Sequence, residues 1–209
     1  MPTFRPDKAL NIHLDGFADY IKELGEVSGV EIKTVDDVIC ALLKRVEYFH
    51  SVGCRVSDQA FDCPPYAPAS KDEVNAVFNK AMNGEKLTDY ECNVYKTPIV
   101  IALGEKYHEL GWTMEVHIGA MRNNNTLMFN KIGADTGFDS VGDDNMLSRF
   151  QGFLTLLIST INCQRLFCLI LMIRTILFLQ LCSAISNQAM LNLKFNLALL
   201  GGFWIQWTV

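Results

Sequence analysis

After Phe150 the sequence contains no aspartate, no glutamate and no proline, and between Gln151 and Val209 only Arg165, Arg174 and Lys194 carry a charge. All 23 acidic residues lie before that point, together with all but three of the 18 basic ones, so the first part has a net charge of about −8 and the second about +3. An acidic, normally mixed first part excludes general binding to nucleic acid or to anionic membranes. A second part without acids or prolines lacks the surface and the turn chemistry of an ordinary soluble domain.

Other absences narrow the class further. Seven cysteines, an odd number with no C-x-x-C pair, exclude both a disulfide framework and a zinc knuckle. Reduced thiols in a cytoplasm are the expectation. The stretch 1–11 has Arg5 and Lys8 but no apolar run of signal-peptide length, so export is not expected. The best uninterrupted apolar run in the second part, Leu166 to Ile173, is far shorter than the roughly twenty residues a bilayer span requires. Gln164, Arg165, Arg174 and Gln180 interrupt its surroundings.

What is present reads as alternating helix and strand. Val35, Val38, Ile39, Leu42, Leu43, Val46 and Phe49 follow helical spacing after Thr34, and Gly53 stands where that helix should stop. Cys54 to Val56 reads as a short strand with Ser57, Asp58 and Gln59 at its carboxyl end. Ser70 with Glu73, and Thr88 with Glu91, have capping-box spacing, and Gly84 and Gly111 close the two helices they announce. Pro98 lies inside the second of these and predicts a kink or a break. Trp112 to Ile118 reads as a second strand.

Strand, polar loop and helix in this rhythm predict a parallel α/β fold, whose sites collect where strands end. Two loops are then the candidates: Ser57-Asp58-Gln59, and the run beginning at His117 and ending Arg122-Asn123-Asn124-Asn125. A histidine, a close-approach glycine, an arginine and three amides can together bind carboxylates and hydroxyls, as in a sugar acid. The same residues could instead turn the chain and leave His117 as a hydrogen-bonded core residue. Arg5-Pro6-Asp7-Lys8, taken alone, is a solvated turn.

Five segments in order carry a resemblance: PTFRPDKA at Pro2 to Ala9, LGEVSG at Leu24 to Gly29, GCRVSDQAFD at Gly53 to Asp62, HIGAMRNNN at His117 to Asn125, and GFDSVGD at Gly137 to Asp143. They resemble the uronate isomerase (glucuronate isomerase) family, over essentially all of residues 1–150. The resemblance implies an amidohydrolase-like (β/α)8 barrel, of which 1–150 would be an incomplete piece, and an aldose-ketose isomerase of hexuronates. Glucuronate and fructuronate, or galacturonate and tagaturonate, would interconvert by proton transfer between C1 and C2. It implies catalytic roles for His117 and Asp58, and substrate-binding roles for Arg5, Arg122 and Asn123. The intact enzyme would be cytoplasmic, homo-oligomeric, and would use a divalent metal such as zinc. The family's His-x-His metal pair does not occur in this sequence, and Gln59 stands where many members have histidine.

The apolar part, 151–209, has a codon-level reading. In the frame beginning on each third base, Met172-Ile173, Trp204-Ile205 and Trp207-Thr208 each force aspartate, and Phe203-Trp204 forces leucine. With free wobble, Cys163 to Ile173 can read PKTILPNPND, Phe178 to Gln188 PATMLGNFQS, and Lys194 to Val209 IQFGSAWWFLDSMDG. These resemble, in order, the next segments of the family's sequence, including its FGS-x-WWF run. The expectation is a frameshift between about Ser148 and Gln151, a non-native tail, and an inactive fragment. Two alternatives remain. One is a small non-catalytic protein with a soluble head and a membrane-associated tail; the other is a hydrolase of the amidohydrolase type.

Overall fold

The computed structural model describes residues 2–121, 123–133, 136–138, 140–141, 152–153, 166–170, 196–199 and 203–206. Helices α1 (Asp7–Leu10), α2 (Phe17–Ser28) and α3 (Val35–Ser51) lead to strand β1 (Val56–Phe61). Helices α4 (Lys71–Met82) and α5 (Asp89–Glu109) lead to β2 (Thr113–Ile118), followed by β3 (Ala120–Met121), α6 (Thr126–Ile132) and β4 (Ser140–Val141). The later strands are β5 (Leu166–Ile170), β6 (Asn196–Leu199) and β7 (Phe203–Gln206).

Local chemistry sets most of these boundaries. Thr34 caps α3 by accepting from the Asp37 N–H while Asp37 reaches back to the Thr34 N–H, and Thr88 and Glu91 repeat the arrangement at α5. Ser70 accepts from the Glu73 N–H at 3.3 Å, so α4 has the forward half of the same cap. The apolar stripe of α3 is buried at Val35, Val38, Leu42 and Val46, as its spacing requires.

Of the kink or break expected at Pro98, the break does not occur: one helix runs from Asp89 to Glu109 through it. The reason lies in packing. Every residue from Cys92 to Thr97 is buried, so neighbours on all sides hold the helix together through a residue that local propensity disfavours. Thr97 adds a bond from its hydroxyl to the Asn93 carbonyl at 2.7 Å and accepts the Ala67 N–H at 3.0 Å. Tyr95, fully buried, donates to the Ala9 carbonyl at 2.9 Å and ties α5 to α1.

The main sheet has the order β1-β2-β5-β6-β7. β1, β2, β5 and β6 pair in parallel and β7 returns antiparallel. Phe4 extends the sheet on the far side of β1 through a parallel bridge to Ser57. From the apolar tail, β5, β6 and β7 are thus strands of the same sheet, and Leu166–Ile170 runs in register beside Met114–Ile118. Among the described residues no helix is long and apolar enough to cross a membrane.

The first strand corrects the expectation from sequence. It starts at Val56 and continues to Phe61, so Ser57, Asp58 and Gln59 lie within it and not in a loop after it. Its alternating burial places Ser57, Gln59 and Phe61 on the inner face and leaves Asp58 half-buried on the other.

Candidate functional site

The amino-terminal segment is held against β1 from two sides. Phe4 donates its N–H to the Val56 carbonyl at 3.1 Å and accepts from the Asp58 N–H at 2.9 Å. Its ring is buried, edge-on to Phe49, Tyr107 and Trp112 at centroid distances of 5.3, 6.3 and 6.4 Å. Tyr107 and Trp112 stack on each other at 5.5 Å, and the Trp112 indole N–H donates to His50 Nδ1 at 2.9 Å. An anchored Phe4 fixes where the next residue, Arg5, leaves the sheet.

Arg5 reaches two carboxylates. Its Nε donates to Asp7 Oδ2 at 2.6 Å, and its Nη1 lies 3.6 Å from Asp58 Oδ2. The other oxygen of Asp7 accepts the Ala60 N–H at 3.1 Å, so this one carboxylate connects the start of α1 to the backbone of β1.

β1 and β2 supply the rest. Their register sets Asp58 beside Glu115 and Ala60 beside His117, which puts these four residues on one face. His117 Nε2 is 3.0 Å from Glu115 Oε1 and 3.3 Å from Asp58 Oδ1. The hydrogen bond goes to Glu115; a carboxylate can only accept, so it requires a proton on Nε2. Asp58 is at ion-pair distance from the same nitrogen without hydrogen-bond alignment. The cluster therefore joins one guanidinium, one imidazole and three carboxylates on a partly open face.

Arg5, Asp58 and His117, chosen from separate segments of sequence, are brought together. Arg122 lies outside the described residues. Asn123 takes the left-handed backbone conformation, with φ of 57°, and turns the chain after β3. Asn124 donates its N–H to the Phe138 carbonyl at 2.8 Å, and Asn125 caps α6 by accepting the Met128 N–H at 3.1 Å. For Asn125 the turn-and-cap reading holds.

Gln59 is 1% exposed on the opposite face from Asp58, and among the described residues neither its Nε2 nor its Oε1 has a hydrogen-bond partner. Sequence reasoning misses Asp7 and Glu115 as site residues. A signal for Glu115 exists, because a residue two before His117 in a strand shares its face. Asp7 stands inside the RPDK motif, with no local sign that it reaches Ala60.

A divalent metal does not fit this cluster. Among the described residues no group of three or more His, Cys, Asp and Glu side chains is arranged to hold an ion. The imidazole nitrogen nearest the carboxylates is already committed to Glu115. The cluster offers arginine, histidine and carboxylate chemistry.

Parallel strands alternating with helices define an α/β protein, here with charged side chains gathered on one sheet face. The family model for glucuronate isomerase matches residues 1–205, and the chain belongs to that family. It is 53% identical over 143 residues to a uronate isomerase of Caldanaerobacter subterraneus, covering 68% of this chain and 31% of the relative. It is 50% identical over 154 residues to the uronate isomerase of Clostridium acetobutylicum, covering 74% of this chain and 33% of the relative. The crystal structure of a uronate isomerase from Thermotoga maritima superposes with a TM-score of 0.78 at 31% identity, over 93% of this chain and 42% of that one. The chain spans about a third of the length of the curated relatives it matches.

Proposed function

We propose that this chain is a piece of a hexuronate aldose-ketose isomerase and that the Arg5, Asp58, His117 face belongs to its active site. The observation that carries the reading is the convergence of these three side chains, 3.6 Å and 3.3 Å from one another through Asp58. Isomerisation removes a proton from C2 of the open-chain aldose, passes through an enediol, and returns a proton at C1, while the O2 proton passes to O1, so that O2 becomes the carbonyl oxygen and O1 the hydroxyl. Such a step needs a base and an acid within reach of adjacent carbons, and a cation to hold the remote carboxylate. Asp58 and His117 fill the first requirement. Arg5 fills the second, with Arg122 and Asn123 as further substrate contacts. No step is assigned to zinc or another metal.

The complete architecture in this reading is a (β/α)8 barrel, with 1–150 as the partial barrel and 151–209 as an out-of-frame tail. In support, the pairwise identity to these two relatives extends over 143 and 154 residues of the 209, and all acidic residues of the chain lie before Phe150. A tail without selected side chains leaves the chain inactive.

Two experiments test this. Titration of glucuronate or galacturonate into the chain, monitored by NMR, is expected to shift resonances of Arg5 and His117; no shift at either with saturating hexuronate contradicts the site. The nucleotide sequence around the Arg149 codon is expected to encode the family's FGS-x-WWF segment in the shifted phase. Its absence from every phase contradicts the frame reading.

A further inference from the structure

We infer that Asp7 is a positioning residue, which orients the Arg5 guanidinium toward the substrate face. This rests on the reading of Arg5 as the group that grips the hexuronate carboxylate. Asp7 makes two bonds with its two oxygens, and they do different work. Oδ1 takes the Ala60 N–H at 3.1 Å across 53 residues of chain, which fixes the carboxylate relative to β1. Oδ2 takes the Arg5 Nε at 2.6 Å. An arginine held at Nε has its guanidinium plane set, and the Nη groups then face outward in a fixed direction. That direction is toward Asp58, 3.6 Å from Nη1, and so toward the face that also carries His117.

The need for such a device comes from exposure. The Arg5 side chain is 50% exposed, whereas that of Asp7 is 18% exposed. A half-exposed arginine released from its Nε bond would sample more rotamers, and binding would have to order it at an entropic cost. The rigid backbone on both sides of Asp7, Pro6 before it and the first turn of α1 after it, makes its carboxylate the better-fixed member of the pair.

The two bonds can be separated by one isosteric change. In Asp7→Asn the amide oxygen can still accept from Ala60, while the amide nitrogen can no longer accept from Arg5 Nε. The test uses the full chain, labelled with 15N, with the Arg5 Nε–H resonance assigned by its loss in Arg5→Lys. The expected result is a slowly exchanging Nε–H in the unsubstituted chain that exchanges at least tenfold faster in Asp7→Asn, with the Ala60 amide unchanged in both. Glucuronate is then expected to bind about tenfold more weakly to Asp7→Asn, the loss typical of a charge-assisted hydrogen bond.

An Nε–H equally protected in both chains overturns the proposal. So does simultaneous loss of protection at Ala60 and Arg5, which would make Asp7 a structural staple only. A chain that shows the expected Nε–H behaviour but no glucuronate-dependent shift at any residue counts against the hexuronate reading, not against the Asp7 to Arg5 geometry.

Discussion

Glu91 shows what a single side chain can do at a helix start. The Lys80 ammonium donates to it at 2.6 Å, and the Thr88 N–H and hydroxyl donate to its other oxygen at 2.9 Å. Together, with the Lys80 bond foremost, they bring its pKa down to about 2 from an ordinary value near 4.5. A carboxyl whose folded pKa is depressed stabilises the fold fully above its unfolded pKa and loses that contribution as pH falls toward the folded one. Acid unfolding of Glu91→Gln, monitored by circular dichroism, is therefore expected to depend less on pH between about 4.5 and about 2 than that of the unsubstituted chain. An identical pH dependence would refute the bonding. At the same scale, short, specific motifs mark His117 and Asp58, and the sheet brings their side chains to 3.3 Å. The motifs do not place Gln59: its meaning depends on which side of β1 it faces, and the strand begins at Val56 instead of Cys54.

Elements are legible where local chemistry governs them. The start of α5 obeys the Thr88 and Glu91 pair, α4 starts on the Ser70 cap, and β2 matches the extended run before Gly119. Pro98 does not end α5, because burial around that helix comes from distant segments that local pattern does not reveal. Two substitutions probe this tertiary layer. Tyr95→Phe removes the bond from α5 to the Ala9 carbonyl and leaves a buried acceptor unpaired, so urea unfolding is expected to show a loss of about 1 to 2 kcal/mol. Unchanged stability would mean that the bond contributes nothing. Gly25→Ala in α2 sets propensity against space. Alanine is favoured over glycine by about 1 kcal/mol within a helix. Here, however, a Cβ would lie 2.9 Å from the Val30 carbonyl oxygen, which is backbone and cannot swing away. A lower melting temperature is expected; a higher one would show that the loop after α2 yields freely.

On the scale of the whole molecule, the sheet unites two stretches of very different composition. β1 and β2 come from the charged, mixed part, and β5, β6 and β7 from the part without acids. A run of leucine, phenylalanine, cysteine and isoleucine fits a buried parallel strand whatever its origin, so pairing of β5 with β2 says little about selection on the tail. Parallel α/β architecture is legible in the alternation of elements, while the order of the strands is not, since pairing of β2 with β5 joins positions as distant in sequence as Met114 and Leu166. Hexuronate isomerisation, measured as ketose formed from glucuronate, addresses the central claim most directly. The chain should be compared with the product of its gene read in the shifted phase after codon 149, together with the sequence that flanks it. Turnover is expected from the shifted-phase protein, with its loss in the Asp58→Asn and His117→Gln variants, and none from the chain itself. Turnover by this chain unaided, or full activity in the Asp58→Asn variant, would contradict the assignment.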